Sequence, residues 1–525
     1  MSLIGLKNMF KSKNLDETQF ILGIDLGDST SSICYFDVNR KIPEIIDISG
    51  GYGKANMPTV VQYIPQSREW VFGEYAILNK GMGNDITFSS LVSKLGKKEY
   101  VEIDHKLESV VSILSLYLKE LINNCKNINP KAEIAGIVVS LPSYISDDGK
   151  EELLRCFSLI GYDRKILDFV TDRECIFANY YFGKSPVKEN VLVLDYGSRE
   201  LRGSLYEALP DGKAVNINTL SYLYDKNIGS ANFESKINEI FIDMYSENTK
   251  TPKESIPYQI LEQISVFSYQ HKDIIFQRSI FNKDVKLYFN FAYPPFQCSF
   301  SKKDAEEFIN PFKESLKDFL SNLFKNNIKK EDTPIDFGDI DTVICAGGGF
   351  EMLWIKEAIN DFFPDSHIIR FKNSKASIAE GASILAASYL EAYETFELNI
   401  SDELQLKEDI GIFILKNESR KFIPIIEKNC FWWQGNKAVR IIVNEKTEEE
   451  LEIELFRRNS EGKILTLTNL KIKDVAKRPK GALKLELSLS LENIGLLKAR
   501  VMDLGFGEFF QSTGLKEEYY ISLQR

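Results

Sequence analysis

At 525 residues, with 44% apolar and 27% charged side chains, the chain is too long for one hydrophobic core and has the composition of a soluble globular protein of about two to four domains. A formal net charge of −11 and a pI near 5.2 argue against a nucleic-acid-binding surface as the main activity, and no apolar run is long enough to span a membrane. Seven cysteines without a C-x-x-C pair, and three histidines, leave no zinc-binding constellation and no evident Ser-His-Asp triad.

The first residues, M-S-L-I-G-L-K-N-M-F-K-S-K-N, lack the apolar core and cleavage site of a secretion signal. A tail over residues 1–19 and a reducing, cytoplasmic setting are expected. From Ile21 to Phe36 the chain reads I-L-G-I-D-L-G-D-S-T-S-S-I-C-Y-F: an apolar strand ending at Asp25, a turn at Gly27, a hydroxyl-rich tip and a returning strand. Gly27 permits a sharp turn that aims N–H groups and the hydroxyls of Ser29, Thr30 and Ser31 at an anion. Asp25, at the carboxyl end of its strand, suits the hydration shell of Mg²⁺.

An amphipathic helix is expected over Leu107 to Cys125, then a buried strand, A-G-I-V-V-S-L-P-S-Y, and a helix opened by Asp147 and Asp148. Asn190 to Ala208 repeats the opening hairpin about 170 residues on, with Asp195 in the place of Asp25 and Gly197 in that of Gly27. Two halves of one architecture, facing each other across a cleft, follow from that repeat. Val343 to Phe363 is a strand, the glycines Gly347, Gly348 and Gly349, and a helix, a turn that lets a flat nucleoside approach the backbone. A last helix begins near Ala376; beyond about residue 408 the periodicity changes to two, so a separate all-β domain is expected.

Taken together, these stretches resemble the seventy-kilodalton heat-shock (DnaK-type) chaperone family. G-I-D-L-G-D-S-T-S is similar to its first phosphate loop, V-V-S-L-P-S-Y-I-S-D-D to its connecting strand, I-G-S-A-N-F-E-S-K-I to its L-G-G-x-D-F-D motif and A-G-G-G-F-E-M-L to its adenosine motif. K-G-A-L-K-L-E-L-S-L-S-L-E-N-I-G-L-L-K-A resembles a stretch of its peptide-binding domain. The resemblance implies an α/β actin-like ATPase domain, a duplicated ribonuclease H-like motif, over 20–395, a linker over 396–409 and a β-sandwich substrate-binding domain over 410–525. It also implies ATP or ADP with Mg²⁺ as cofactors, and unfolded or extended polypeptide and co-chaperones as partners, with neither nucleic acid nor membrane among them.

Carried over residue by residue, it assigns Asp25, Asp172 and Asp195 to catalysis, Asp25 and Asp195 holding Mg²⁺ through water. Nucleotide contacts fall to Gly27, Asp28, Ser29, Thr30, Gly197, Ser198, Arg199, Gly229, Ser230, Lys272 and the three glycines at 347–349. Ile412, Ile414, Leu415, Val439 and Ile441 fall on the peptide channel, although strand alternation alone reads them as sandwich core.

The departures bear on activity. The second phosphate loop, D-L-G-G-G-T-x-D in the family, is D-Y-G-S-R-E-L-R here, and a threonine of the first loop has become Asp28. A carboxylate about 4 Å from a phosphate oxygen is repelled by roughly 4 kcal/mol at an effective dielectric of about 20. The lysine expected near the γ-phosphate is matched only by Lys94, displaced in register, and the adenine-stacking arginine has become Glu351. A member without the family's helical lid is expected, and the linker keeps only Leu404 and Leu406 of its leucine run. Two readings stand: a lidless ATP-binding chaperone, or a nucleotide-silent scaffold that presents the β domain to a protein partner. In the second, Asp28 and Arg199 or Arg202 would pair across the cleft in place of a ligand.

Overall fold

The computed structural model describes residues 19–523 apart from 50–52, 81–84, 127–128, 143–144, 280–283, 326–334, 402–405, 417–418, 429, 431–434, 448–449, 460–461, 494–495 and 508. Most of the expected N-terminal tail, and Leu404 of the linker, lie outside them. The chain divides into two compact units at residues 400 and 401.

The large unit is built on two mixed sheets. In the first, strands β1 (Gln19–Leu26), β2 (Thr30–Asp37), β3 (Ile42–Ile45), β4 (Glu133–Leu141) and β5 (Ile166–Thr171) lie in the order β5-β4-β1-β2-β3, with Asn56–Pro58 also pairing to β2. In the second, β6 (Glu189–Tyr196), β7 (Leu201–Asp211), β8 (Ala214–Asp225), β9 (Thr342–Ala346), β10 (His367–Arg370) and β11 (Glu397–Ser401) lie in the order β10-β9-β6-β7-β8-β11. Both sheets run antiparallel through their first three strands and parallel through the next two. The two hairpins close over loops of equal length, since Leu26 pairs with Ser31 and Tyr196 with Leu201. The repeat read from sequence is thus a repeat of topology.

Eight longer helices accompany the sheets: α1 (Val110–Lys126), α2 (Asp147–Leu159), α3 (Asp172–Tyr180), α4 (Ser230–Thr249), α5 (Tyr258–Ser279), α6 (Lys302–Lys325), α7 (Leu353–Phe362) and α8 (Ser377–Tyr389). The first begins at Val110 rather than Leu107, because Lys106–Ser109 pairs with Tyr100–Ile103 as a short hairpin. Central strands such as β1 are near-continuous apolar runs because both of their faces are covered.

One core fills each half, and a third joins them: Ile21, Phe36 and Val138 of the first sheet share it with Val191, Val193 and Ile344 of the second. Helix α8 runs through this shared core, and its small residues set how closely it packs. A Cβ on Gly23 of β1 would lie 2.1 Å from the Ser383 nitrogen, and one on Gly381 1.9 Å from the Cys175 carbonyl of α3. Only glycine admits backbone at that separation.

Residues 397–401, which the sequence reading assigns to the linker, form the outer strand β11 beside β8. Glu397 N–H donates to the Lys213 carbonyl at 2.9 Å. In the small unit Leu406 is buried, and its N–H donates to the Cys430 carbonyl at 2.8 Å.

That unit contains two four-stranded antiparallel sheets. One orders β13 (Ser419–Ile426), β12 (Asp409–Lys416), β15 (Leu451–Arg458) and β16 (Ile464–Ile472); the other orders β14 (Asn436–Val443), β17 (Leu483–Asn493), β18 (Leu496–Asp503) and β19 (Lys516–Ser522). Alternate residues of the second sheet, Leu485, Leu487, Leu489, Leu497, Ala499 and Val501, are buried, as a period of two requires.

Candidate functional site

Three carboxylates reach one place by three local devices. Asp25 ends β1, in register with Ser140 on β4 and Ser32 on β2. Asp172 opens α3, where Thr171 and Glu174 form a capping box: Glu174 N–H donates to the Thr171 hydroxyl at 3.3 Å, and Thr171 N–H to the Glu174 carboxylate at 2.7 Å. That cap holds the Asp172 carboxylate at the positive end of the helix, where the Ser140 hydroxyl donates to it at 2.7 Å. Asp195 ends β6, beside Ala346 of β9.

Into this cluster the second hairpin sends Arg202. Its Nη1 lies 2.8 Å from Asp172 Oδ2 and 3.6 Å from Asp195 Oδ2, and its Nε donates to Glu200 at 2.7 Å. Burial and the negative charges of Asp172 and Asp195 push the Asp25 carboxyl well above the usual carboxylate range, with Arg202 opposing them. Burial likewise raises Asp195 to about 7 against the pull of Arg202. The neighbouring carboxylates raise the Arg202 guanidinium despite its burial, so it stays charged.

The two loop tips meet. Ser29 and Ser198 hydroxyls hydrogen-bond at 2.6 Å. Arg199 Nη2 pairs with buried Asp28 Oδ2 at 2.6 Å and donates to Ser93 Oγ at 3.0 Å, while Ser93 N–H donates to Asp28 Oδ1 at 2.9 Å. Ser93, next to the displaced Lys94, therefore occupies this junction, and Lys94 faces Glu99 instead at 4.0 Å. Thr30 is exposed, and the Gly27 carbonyl accepts from the Thr59 hydroxyl at 2.8 Å. Gly197 and Ser198 give their carbonyls to Ser230 and Ala231 N–H groups at 3.1 and 2.8 Å, which uses the donors that open α4. Gly229 packs on the same loop; a Cβ there would lie 2.4 Å from the Ser198 carbonyl oxygen.

The glycine-rich turn expected to take a nucleoside is also covered. Gly347 has φ +86°, and Gly349 lies against the ring of Tyr196, where a Cβ would approach to 2.3 Å. The Lys375 side chain crosses Gly348, and its ammonium pairs with Glu351 at 3.2 Å, the residue in the arginine's place. Lys272 pairs with Glu234 and lies 4.5 Å from the Tyr269 ring centre; the Tyr269 hydroxyl donates at 2.7 Å to Glu74, which also holds Lys54. Polar groups of many of these residues thus bond one another. Mg²⁺ does not fit these residues as they stand, because Arg202 fills the space among the carboxylates. Among the described residues no group of three or more His, Cys, Asp or Glu is arranged to hold a metal ion.

In the small unit, Ile412 is buried, Ile414 is half-buried and Leu415 is 70% exposed. Ile414 and Leu415 are consecutive in an extended strand and so face opposite sides of it. Val439 and Ile441, both half-buried, sit opposite Leu487 and Leu485 on the core-facing side of edge strand β14. Five expected channel residues are therefore split between two sheets.

Comparison with known proteins bears on this geometry. The chain is 23% identical over 505 residues to the chaperone protein DnaK of Thermotoga maritima and to that of Thermotoga petrophila, covering 94% of this chain and 80% of each relative. It is 21% identical over 502 residues to the chaperone protein DnaK of Thermosipho africanus, covering 94% and 79%. The similarity to DnaK chaperones is low but nearly end to end. Two family models match parts of the chain: a domain of unknown function (DUF8552) over residues 405–523, and the C-terminal part of a family of unknown function (DUF5716) over residues 43–210. The first of these spans nearly the whole small unit. Among the described residues no helix is long and apolar enough to cross a membrane.

The residue that motif comparison undervalued is Arg202. It reads as a lost aspartate in a degraded loop, yet hairpin register sets it directly across from Asp195. The offset of the two residues around a tight turn carries that signal.

Proposed function

We propose that this chain is a divergent chaperone-type protein that binds extended hydrophobic polypeptide through its β unit, carried on an actin-like, two-lobed nucleotide-binding domain. The observation that carries the reading is the duplicated sheet, whose two aspartate-ended strands turn through equal loops into contact at Ser29 and Ser198, in a chain similar to DnaK chaperones over 94% of its length. The two antiparallel sheets of the small unit offer strand edges and apolar half-buried positions, Ile414, Val439 and Ile441, suited to an extended segment. In this reading ATP enters the cleft when Arg199 releases Asp28, and its occupancy alters polypeptide affinity.

A specific observation favours a second reading, the nucleotide-silent scaffold. Asp28–Arg199 and Asp172–Arg202 join the two halves where phosphate and metal would lie. Calorimetric titration of the full chain with ATP, beside anisotropy of a labelled apolar heptapeptide, separates them. Micromolar ATP binding that shifts peptide affinity supports the first. No ATP uptake at millimolar concentration sinks the first and supports the second, whether or not the heptapeptide binds.

A further inference from the structure

We propose that Arg202 is a built-in replacement for a divalent cation: the cleft carries its own positive charge, closes without metal, and any nucleotide it takes is bound without Mg²⁺. The inference rests on the reading of this cleft as a nucleotide-type site and concerns which ion completes it.

Four observations converge. The fold sets Asp25 and Asp195 at the ends of β1 and β6 and Asp172 at the start of α3, and the side chains of Asp172 and Asp195, 16% and 13% exposed, both lie within 3.6 Å of one guanidinium nitrogen. That nitrogen belongs to Arg202, with only 18% of its side chain exposed and 2.8 and 3.6 Å from two of the three. Its planar fork also uses Nε on Glu200, so the guanidinium is held in a fixed orientation on both sides. Finally, the duplication gives an internal control. The position equivalent to Arg202 in the first hairpin, across from Asp25, is Ser32, whose hydroxyl donates to the Lys375 carbonyl at 3.3 Å and carries no charge. One hairpin of the pair therefore bears the cation for both.

Its reach gives the substitution a mechanical consequence. A hydrated ion is exchangeable, but a guanidinium tethered to β7 is permanent. Arg202 binds Asp172 of the first half from the second half, and Arg199, three residues earlier in the chain, binds Asp28. Two arginines of one hairpin thus hold the halves together in the places of the metal and the phosphate, and closure does not wait for a ligand.

The test is Mn²⁺ binding to the full-length protein, followed by the loss of the free-ion paramagnetic resonance signal and by calorimetry. Wild type is expected to take up no Mn²⁺ at millimolar concentration, and Arg202→Ala to gain one site at least tenfold tighter, lost again in Arg202→Ala/Asp195→Asn. Melting temperature should rise with Mn²⁺ for Arg202→Ala and stay unmoved for wild type. One-to-one Mn²⁺ binding by wild type that Asp195→Asn abolishes overturns the proposal. So does a folded Arg202→Ala that gains no site. Should that variant not fold, the wild-type titration still decides, joined by Arg202→Lys, which keeps the charge and should remain metal-free. Where wild type binds ATP, equal affinity in excess Mg²⁺ and in EDTA is expected, and a tenfold preference for Mg²⁺ overturns it. Absence of ATP or peptide binding bears on the functional reading above and leaves the Mn²⁺ result standing by itself.

Discussion

Arg202 stands directly across the second hairpin from Asp195 and reaches past it to Asp172, at 2.8 Å, on the other half of the large unit. A cross-strand neighbour has become a bridge between halves. Its partner arginine, Arg199, makes the other bridge but is 43% exposed, against 18% for Arg202. Removing one partner of a buried ion pair leaves uncompensated charge, whereas an exposed pair is screened by solvent. Arg202→Ala is therefore expected to lower unfolding free energy by about 3–5 kcal/mol, and Arg199→Ala by less, since its guanidinium is screened by solvent and the Ser93 N–H still donates to the buried Asp28 carboxylate. Urea unfolding of the two variants checks the ranking; equal losses would show that burial does not set the strength of these bridges.

Opening the phosphate approach calls for both loop tips to change. Asp28→Thr together with Arg199→Gly removes the ion pair at 2.6 Å and restores a hydroxyl and a bare backbone. The double variant is expected to bind ATP at least about tenfold more tightly than wild type, a change of about 1.4 kcal/mol. Calorimetry checks it, and an unchanged affinity would place the obstacle elsewhere in the cleft, with Lys375 over Gly348 the next residue to alter.

The small unit has its own buried ion pair. Arg478 donates to both oxygens of Asp503, at 3.2 and 2.7 Å, and Asp503 also accepts from Gly505 N–H, Thr513 N–H and the Thr513 hydroxyl. Burial pushes Asp503 up, but the Thr513 and Gly505 donors and the Arg478 charge outweigh it and hold the carboxyl below its ordinary value. A carboxyl lowered in the folded state stabilises it fully above the unfolded value near 4, and that contribution is lost as pH falls below it. Unfolding of the small unit should therefore ease as pH falls below about 4, and Asp503→Asn should flatten that dependence. Near-ultraviolet dichroism against pH, on wild type and variant, makes the comparison.

Glycine substitutions separate packing from flexibility. Gly381→Ala sets a methyl 1.9 Å from the Cys175 carbonyl, between two helices that cannot part without opening the core shared by both sheets. A loss of about 3 kcal/mol or more is expected. Gly338→Ala, at an exposed turn with nothing within 4 Å, should change stability by less than about 0.5 kcal/mol. Thermal unfolding of the pair tests whether close approach, rather than backbone freedom, is why Gly381 is glycine.

Thiol reactivity offers a check that needs no mutation. Five cysteines, Cys34, Cys125, Cys156, Cys175 and Cys345, are buried, and burial raises Cys156 and Cys345 to about 12. Only Cys298 and Cys430 are half-exposed. A thiol reagent should label those two first in the native protein and the remainder only on unfolding.

Sequence by itself was enough for whatever depends on neighbours along the chain. The apolar runs of β1 and β6, the aspartate and glycine that close them, and the change to a period of two beyond residue 408 are all local patterns with local causes. Strand β8 carries a local signal too, the alternation of V-N-I-N-T-L-S-Y-L-Y. Residues 397–401 looked like linker because an edge strand has no apolar run of its own; its place beside β8 comes from the partner. The same limit applied at the site. Asp28 was visible as a charge in the wrong place, and its pairing with Arg199 or Arg202 stayed undecided because either side chain is long enough. Only the packed halves chose, giving Asp28 to Arg199 and the carboxylate cluster to Arg202. The reason is geometric: in a hairpin, residues one apart face opposite ways and residues three apart stand at different depths, so depth in the cleft, set by two sheets folded on one core, assigned each arginine its acid.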